Sequence, residues 1–235
     1  FTKLLSENNV AAFIYEPLVQ GAAAMKMHKS IHLDELLKIA NNHEVINIAD
    51  EVMTGFGKTG KNFASEFMSN MPDIICLSKS LTGGLVPMAI TSCTEKIYNA
   101  FLSSKMENGF FHGHTYSANP TSCTAAIASI ELLMSEEIQN SIDRIKASHK
   151  SFIEKINDHP KVKDTRQQGI IVAIDFNIET DRYGDLRHKL YDFYMNKGVY
   201  LRPLGNTVYI LAPYIISNEQ LSKIYKTIEQ SFDII

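Results

Sequence analysis

Cysteine is scarce in this chain and offers no pairing. Cys76, Cys93 and Cys123 are an odd set with no C-x-x-C repeat and no metal-type spacing, which argues against a disulfide scaffold or a thiolate zinc centre. Buried, reduced thiols in the cytosol are the expectation, and with them a cytoplasmic protein. Long apolar runs are also missing. No stretch approaches the roughly 20 residues of a membrane span, and no charged-then-apolar signal opens the chain. Nor does charge of one sign dominate: 23 basic and 26 acidic side chains leave a net charge of −3 and a pI near 6.3. Such a balance gives no electrostatic footprint for nucleic acid or an anionic membrane, so small-molecule chemistry is favoured. The first residue is Phe1 rather than Met, so the native start need not be here.

Core-forming residues, by contrast, are plentiful. The 235 residues are 45% hydrophobic and 21% charged, as in ordinary globular proteins. Strands alternate with helices along the first part of the chain, the signature of a layered α/β domain. Ala11 to Tyr15 reads as a buried strand ending at Glu16. Leu33, Leu36, Leu37 and Ala40 share one helical face, and the strands Val45 to Ala49, Asp73 to Leu77 and Met88 to Cys93 follow. Asn119 and Pro120 have the form of a helix start, with helices expected over Thr121 to Met134 and on through Ile156. Further on come a strand (Ile170 to Phe176), a helix (Leu186 to Asn196), two short strands (Val199 to Arg202 and Thr207 to Leu211) and a closing helix (Asn218 to Phe232). The expectation is an α/β unit over residues 1–135 and a smaller α+β unit over 136–235.

Two charged residues stand out within this pattern. Asp50 closes the run VINIAD, and Lys79 follows DIICLS and opens KSLTGG. Both lie at the C-terminal ends of β-prone segments, where open α/β sheets bind ligands. A lysine amine can condense with an aldehyde, and pyridoxal phosphate (PLP) enzymes pair that lysine with an Asp at the ring nitrogen. A solvated carboxylate and a surface lysine are the plain alternative from the two residues alone.

The stretch TGFGKTGKN between them carries two phosphate-loop patterns. Gly55, Gly57 and Gly60 match G-x-G-x-x-G, and Gly55 to Lys61 match G-x-x-x-x-G-K. Asn62 stands where a magnesium-binding hydroxyl belongs, and Asp50 to Thr54 separate strand from glycine, so both patterns are weak. A nucleotide-binding protein built on Gly55 to Lys61 stays open as the reading from another class.

Three blocks in order, ADEVMTGFGKTG, PDIICLSKSLTGG and FFHGHTYSANP, resemble the class III (fold-type I) PLP-dependent aminotransferases. YEPLVQGAAAM and GVYLRPLGNTVYILAPY extend the resemblance over essentially the whole chain. It implies a mostly parallel sheet flanked by helices, with residues 1–135 the C-terminal part of the large PLP-binding domain and 136–235 the small α+β domain. The family's Gly-Ser phosphate cup and stacking aromatic would precede Phe1.

By the same resemblance Lys79 is the lysine that binds PLP covalently, Asp50 the ring-nitrogen partner and Val52 a contact to the ring face. His114 and Thr115 become phosphate contacts donated across a homodimer interface. Gly113, Arg202, Lys58 and Tyr209 become substrate contacts, Arg202 through a bidentate grip on a carboxylate. Lys58 occupies a position where the family usually carries Arg, keeping charge but losing the fork. Taken alone, His112 and His114 would suggest metal binding only weakly, lacking a third ligand.

The final block and HGHTYSANP most resemble family members that transfer an amino group from S-adenosylmethionine to 8-amino-7-oxononanoate, giving 7,8-diaminononanoate in biotin biosynthesis. Members using an ω-amino acid or lysine as donor are the alternative.

Overall fold

The computed structural model describes residues 1–235. In chain order the elements are α1 (Thr2–Glu7), β1 (Ala12–Tyr15), β2 (Val19–Gln20), β3 (Lys26–Met27), α2 (Ser30–Asn42), β4 (Ile46–Asp50), β5 (Ile74–Leu77), β6 (Ile90–Cys93) and α3 (Glu95–Asn99). They continue with α4 (Pro120–Met134), α5 (Glu136–Ile156), β7 (Val162–Gln168), β8 (Ile171–Phe176), α6 (Asp185–Asn196), β9 (Thr207–Leu211) and α7 (Asn218–Ser231). The chain divides into two compact units. The first holds residues 1–18, 28–56 and 61–134; the second holds 19–27, 57–60 and 135–235. Two short N-terminal stretches thus pack with the C-terminal residues.

In the first unit the sheet order is β1-β4-β5-β6, parallel through β5 with β6 antiparallel. Leu33, Leu37 and Ala40 bury the inner face of α2, as their helical spacing requires. The strand β4 has a polar residue in its buried interior, whose N–H groups find acceptors while its Oδ1 is buried without a protein donor. Asn47 donates its backbone N–H to Asp73 at 2.9 Å and its amide to the side-chain oxygen of Asn41 at 2.7 Å. The α4 start follows its sequence signal, since Asn119 Oδ1 accepts from the Ser122 N–H with Pro120 at the first helical position. The thiols depart from expectation: all three are free, but none is buried, with Cys93 exposed on β6 and Cys76 and Cys123 half-buried.

The second unit is built on the antiparallel sheet β7-β8-β9. Val172, Ile174 and Phe176 of β8 and Val208 and Ile210 of β9 are fully buried, and Phe176 meets Phe232 at the end of α7 edge to face. The strand β7 escaped the sequence reading because its residues, VKDTRQQ, are polar and mostly half-buried. Its ladder to β8 forms through the backbone whatever the side chains carry. Residues 199–202, expected as a strand, have no regular secondary structure and join no ladder; Leu204 and Thr207 form only an isolated bridge. Gly205 and Asn206 make a two-residue turn across which Leu204 and Thr207 exchange backbone hydrogen bonds at 2.8 and 3.1 Å, and the pairing stops at that bridge.

Arg166 of β7 organises this unit. Its guanidinium grips Asp175 bidentately at 2.8 and 2.9 Å and donates to the carbonyls of Met25 and Ala24 at 2.9 and 2.7 Å. Thr207 Oγ1 completes the Asp175 carboxylate at 2.7 Å. The β2–β3 hairpin, with Ala24 and Met25 in left-handed conformation, is thereby fixed to the sheet by a planar fork that lysine could not supply.

Candidate active site

The strand order of the first unit sets its candidate chemistry. β4 and β5 are parallel neighbours, so their C-terminal ends point the same way, and Asp50 is paired with Cys76, just ahead of Lys79 in the chain. Asp50 Oδ1 accepts from the Val52 N–H at 3.0 Å, which aims the carboxylate and leaves Oδ2 without a protein donor. Lys79 heads a 3₁₀ turn, Lys79–Thr82, with φ of +47°. A left-handed backbone at a residue with a long side chain costs about 1 kcal/mol or more, and such strain gathers at functional positions. The neighbouring residues hold the turn. Ser78 Oγ donates to Met88 O at 2.8 Å, Thr82 Oγ1 to Val86 O at 2.6 Å, and Ser129 Oγ of α4 to Ser80 O at 3.0 Å. The Lys79 amine is exposed and engaged in no hydrogen bond or ion pair.

Glu51, which carries no signal in the sequence, is central to the loop after β4. Its fully buried carboxylate accepts from the backbone N–H groups of Ala64 and Ser65, each at 2.7 Å, and from Thr54 Oγ1 at 3.2 Å. Nothing in the sequence separates it from a solvated acid, because its donors are 13 and 14 positions away. Behind it, burial holds the Tyr15 phenol protonated well above the usual range, and the Glu51 and Asp73 charges add to this.

The phosphate-loop alternative loses its structural basis here. Residues 51–62 run as turns and bends and open no α-helix whose N-terminus could cradle a phosphate. Lys61 donates its amine to Glu66 O at 2.8 Å and lies over the Phe67 ring. His112, Gly113, His114 and Thr115 lie on an exposed segment of this unit, where His114 Nδ1 accepts from the Tyr116 N–H at 3.1 Å.

In the second unit Arg202 and Tyr209 line one cleft of about 450 Å³, with Ile210, Ala212 and Ile216 among its apolar walls. Arg202 is exposed and donates to no protein acceptor. Lys58 is half-buried, its amine 4.0 Å from the centre of the Tyr214 ring, and burial pulls its pKa down to about 8 from 10.5. The unfolded chain therefore holds more protons between those two values. The cost of burying the charged amine is present in full below pH 8, declines as pH rises through 8 to 10.5, and is gone above. Replacing Lys58 by Met should raise stability at pH 7 by about 1 kcal/mol, allowing for partial solvent exposure and the lost ring contact. Urea titrations at pH 7 and pH 10 check this, since the variant's advantage should shrink at the higher value.

Residues 2–232 match the class-III aminotransferase family. A relative from Synechococcus elongatus, an adenosylmethionine-8-amino-7-oxononanoate aminotransferase, is 42% identical over 97% of this chain and 54% of its own length. Among solved structures, a Bacillus anthracis aminotransferase superposes with a TM-score of 0.90 at 25% identity, covering 100% of this chain and 55% of its own. The adenosylmethionine-8-amino-7-oxononanoate aminotransferase of Methanocaldococcus jannaschii superposes at 0.84 with 31% identity, over 92% of this chain and 53% of its own. The chain spans about half the length of the curated relatives it matches. Aminotransferases of this class depend on PLP in general, and the free amine of Lys79 and the uncommitted oxygen of Asp50, at the ends of neighbouring strands, have the chemistry that fits that cofactor's aldehyde and ring nitrogen. On sequence over nearly its full length and on fold, this chain belongs to the class-III aminotransferase family.

Proposed function

We propose that the protein carrying this chain is a cytoplasmic, homodimeric PLP enzyme that moves an amino group from S-adenosylmethionine to 8-amino-7-oxononanoate, yielding 7,8-diaminononanoate for biotin synthesis. The observation that carries the chemistry is the pair of neighbouring parallel strand ends, one bearing the carboxylate of Asp50 and the other leading into the uncommitted amine of Lys79. The substrate assignment draws on likeness to relatives that bear this name at 34 to 42% identity.

Bound PLP supplies an aldehyde that takes up the amino group and a ring that withdraws electron density from the adjacent carbon. Asp50 would hold the ring nitrogen through Oδ2, favouring its protonated form, and Val52 would contact the ring. Lys79 would hold the cofactor's aldehyde through Nζ, and the same amine, when not so engaged, would carry a proton for the reaction. His114 and Thr115 serve the phosphate of the partner protomer's cofactor. Arg202 grips the acceptor's carboxylate in a bidentate fork, Gly113 leaves room for the substrate, Tyr209 lines the chain, and Lys58 contributes to donor binding.

A donor screen with purified protein and 8-amino-7-oxononanoate tests the reading. Turnover is expected with S-adenosylmethionine. Turnover with lysine or an ω-amino acid, and none with S-adenosylmethionine, would move the protein to another branch of the family.

A further inference from the structure

All five arginines of this chain lie in the second unit, and three are committed to protein acceptors. Arg144 donates to Asn218 and Ile216, Arg166 to Asp175 and the β2–β3 hairpin, and Arg182 to the Ala22 carbonyl. Arg187 and Arg202 donate to none, and both line the same cleft of about 320 Å³. His188, Tyr191, Tyr200 and Pro203 complete its wall, so two guanidiniums and an imidazole face the space with no carboxylate among them. Arg187 and His188 come from the first turn of α6, and Tyr191 follows one turn on, so the three share a helix face. Tyr191 and Tyr200 meet edge to face, with ring centroids 6.3 Å apart.

Arg187 lies over the Tyr183 ring at 6.0 Å, but neither guanidinium has an anionic partner, and two such charges lining one concave space repel each other until an anion lies between them. The apolar cleft that holds Tyr209 shares Tyr200 and Arg202 with this basic one. Arg202 thus stands where an apolar channel meets a cationic pocket. That junction suits an aliphatic chain ending in a carboxylate.

We propose that Arg187 is a second guanidinium of a carboxylate clamp shared with Arg202, and that the pair holds the anionic end of an aliphatic monocarboxylate whose chain runs along the Tyr209 cleft. This deepens the reading of Arg202 given above and rests on it. Each guanidinium contributes charge-assisted hydrogen bonds, so loss of either should weaken binding by about tenfold or more.

Calorimetric titration of the chain with heptanoate, and with 1-heptanol as the uncharged comparator, tests the proposal on wild type, Arg187→Gln, Arg187→Lys and Arg202→Gln, each with its thermal melt recorded. Heptanoate should bind in clear preference to heptanol. Both Gln variants should weaken heptanoate about tenfold or more and leave heptanol unchanged, while Arg187→Lys should fall between, keeping the charge without the fork. Wild-type heptanoate affinity in Arg187→Gln alongside a loss in Arg202→Gln would remove Arg187 from the clamp and leave the Arg202 reading intact. Wild-type affinity in both would overturn Arg202 as well. Equal binding of heptanol, or no heptanoate binding by the wild type, would overturn the clamp outright.

Discussion

Lys79→Ala should abolish the visible absorption of bound PLP and lower amino transfer by about four orders of magnitude or more. Both effects have one origin, since the same amine binds the cofactor and moves the proton. Alanine at this position leaves the turn in place: Ser78, Thr82 and Ser129 hold it through other atoms, and the left-handed φ is shared by the substituted residue. A loss of function with an unchanged melt would therefore mark chemistry rather than folding. Lys79→Arg keeps a positive charge but cannot condense with an aldehyde, so it should fail equally. A Lys79→Ala protein that retained the cofactor's visible band would end the assignment of this residue, and the Asp50 role with it.

The second large effect concerns folding. Gly169→Ala should destabilise the second unit by about 3 kcal/mol or more, measured as a shift of the urea midpoint to lower concentration. Gly169 sits between β7 and β8 with φ of +59°, and an added Cβ would stand 2.5 Å from the Gly60 nitrogen and the Lys58 carbonyl oxygen, and closer still to the Thr59 carbonyl carbon. All three atoms are backbone, so no side chain can swing away. The same contact carries two hydrogen bonds, Ile170 N–H to Lys58 O at 3.0 Å and Gln168 Nε2 to Thr59 O at 2.8 Å, and displacing the loop would strain both. Gly198→Ala provides the comparison. Its φ is similar at +68°, but its Cβ would meet only the flexible end of Lys223 at 3.0 Å. About 1 kcal/mol is expected there, the cost of the left-handed backbone alone. Equal losses in the two variants would show that close approach at Gly169 is not the cause.

The sequence carried the positions of Asp50 and Lys79 at strand ends, because short apolar runs closed by a charge are local patterns. The helix α2 was legible through its apolar spacing, and α4 through the side-chain cap of Asn119 and the fixed φ of Pro120. Resemblance to the class III aminotransferases rested on ordered blocks and needed no coordinates. The polar strand β7 was not legible, because its pairing is made by backbone groups and its side chains lack the alternation that marks a strand.

What only the tertiary structure decided are the contacts between segments distant in the chain. Arg166 reaches Met25 across 141 positions, Gln168 reaches Thr59 across 109, and the donors of Glu51 come from a later turn. A glycine, an arginine and a glutamate look ordinary in a one-dimensional string. Their roles arise from which backbone atoms approach them after the chain has closed its loops, and that information is a property of packing rather than of local propensity. So it is with Arg187, an unremarkable charge in sequence that the fold brings to the same cleft as Arg202 with no protein acceptor for either.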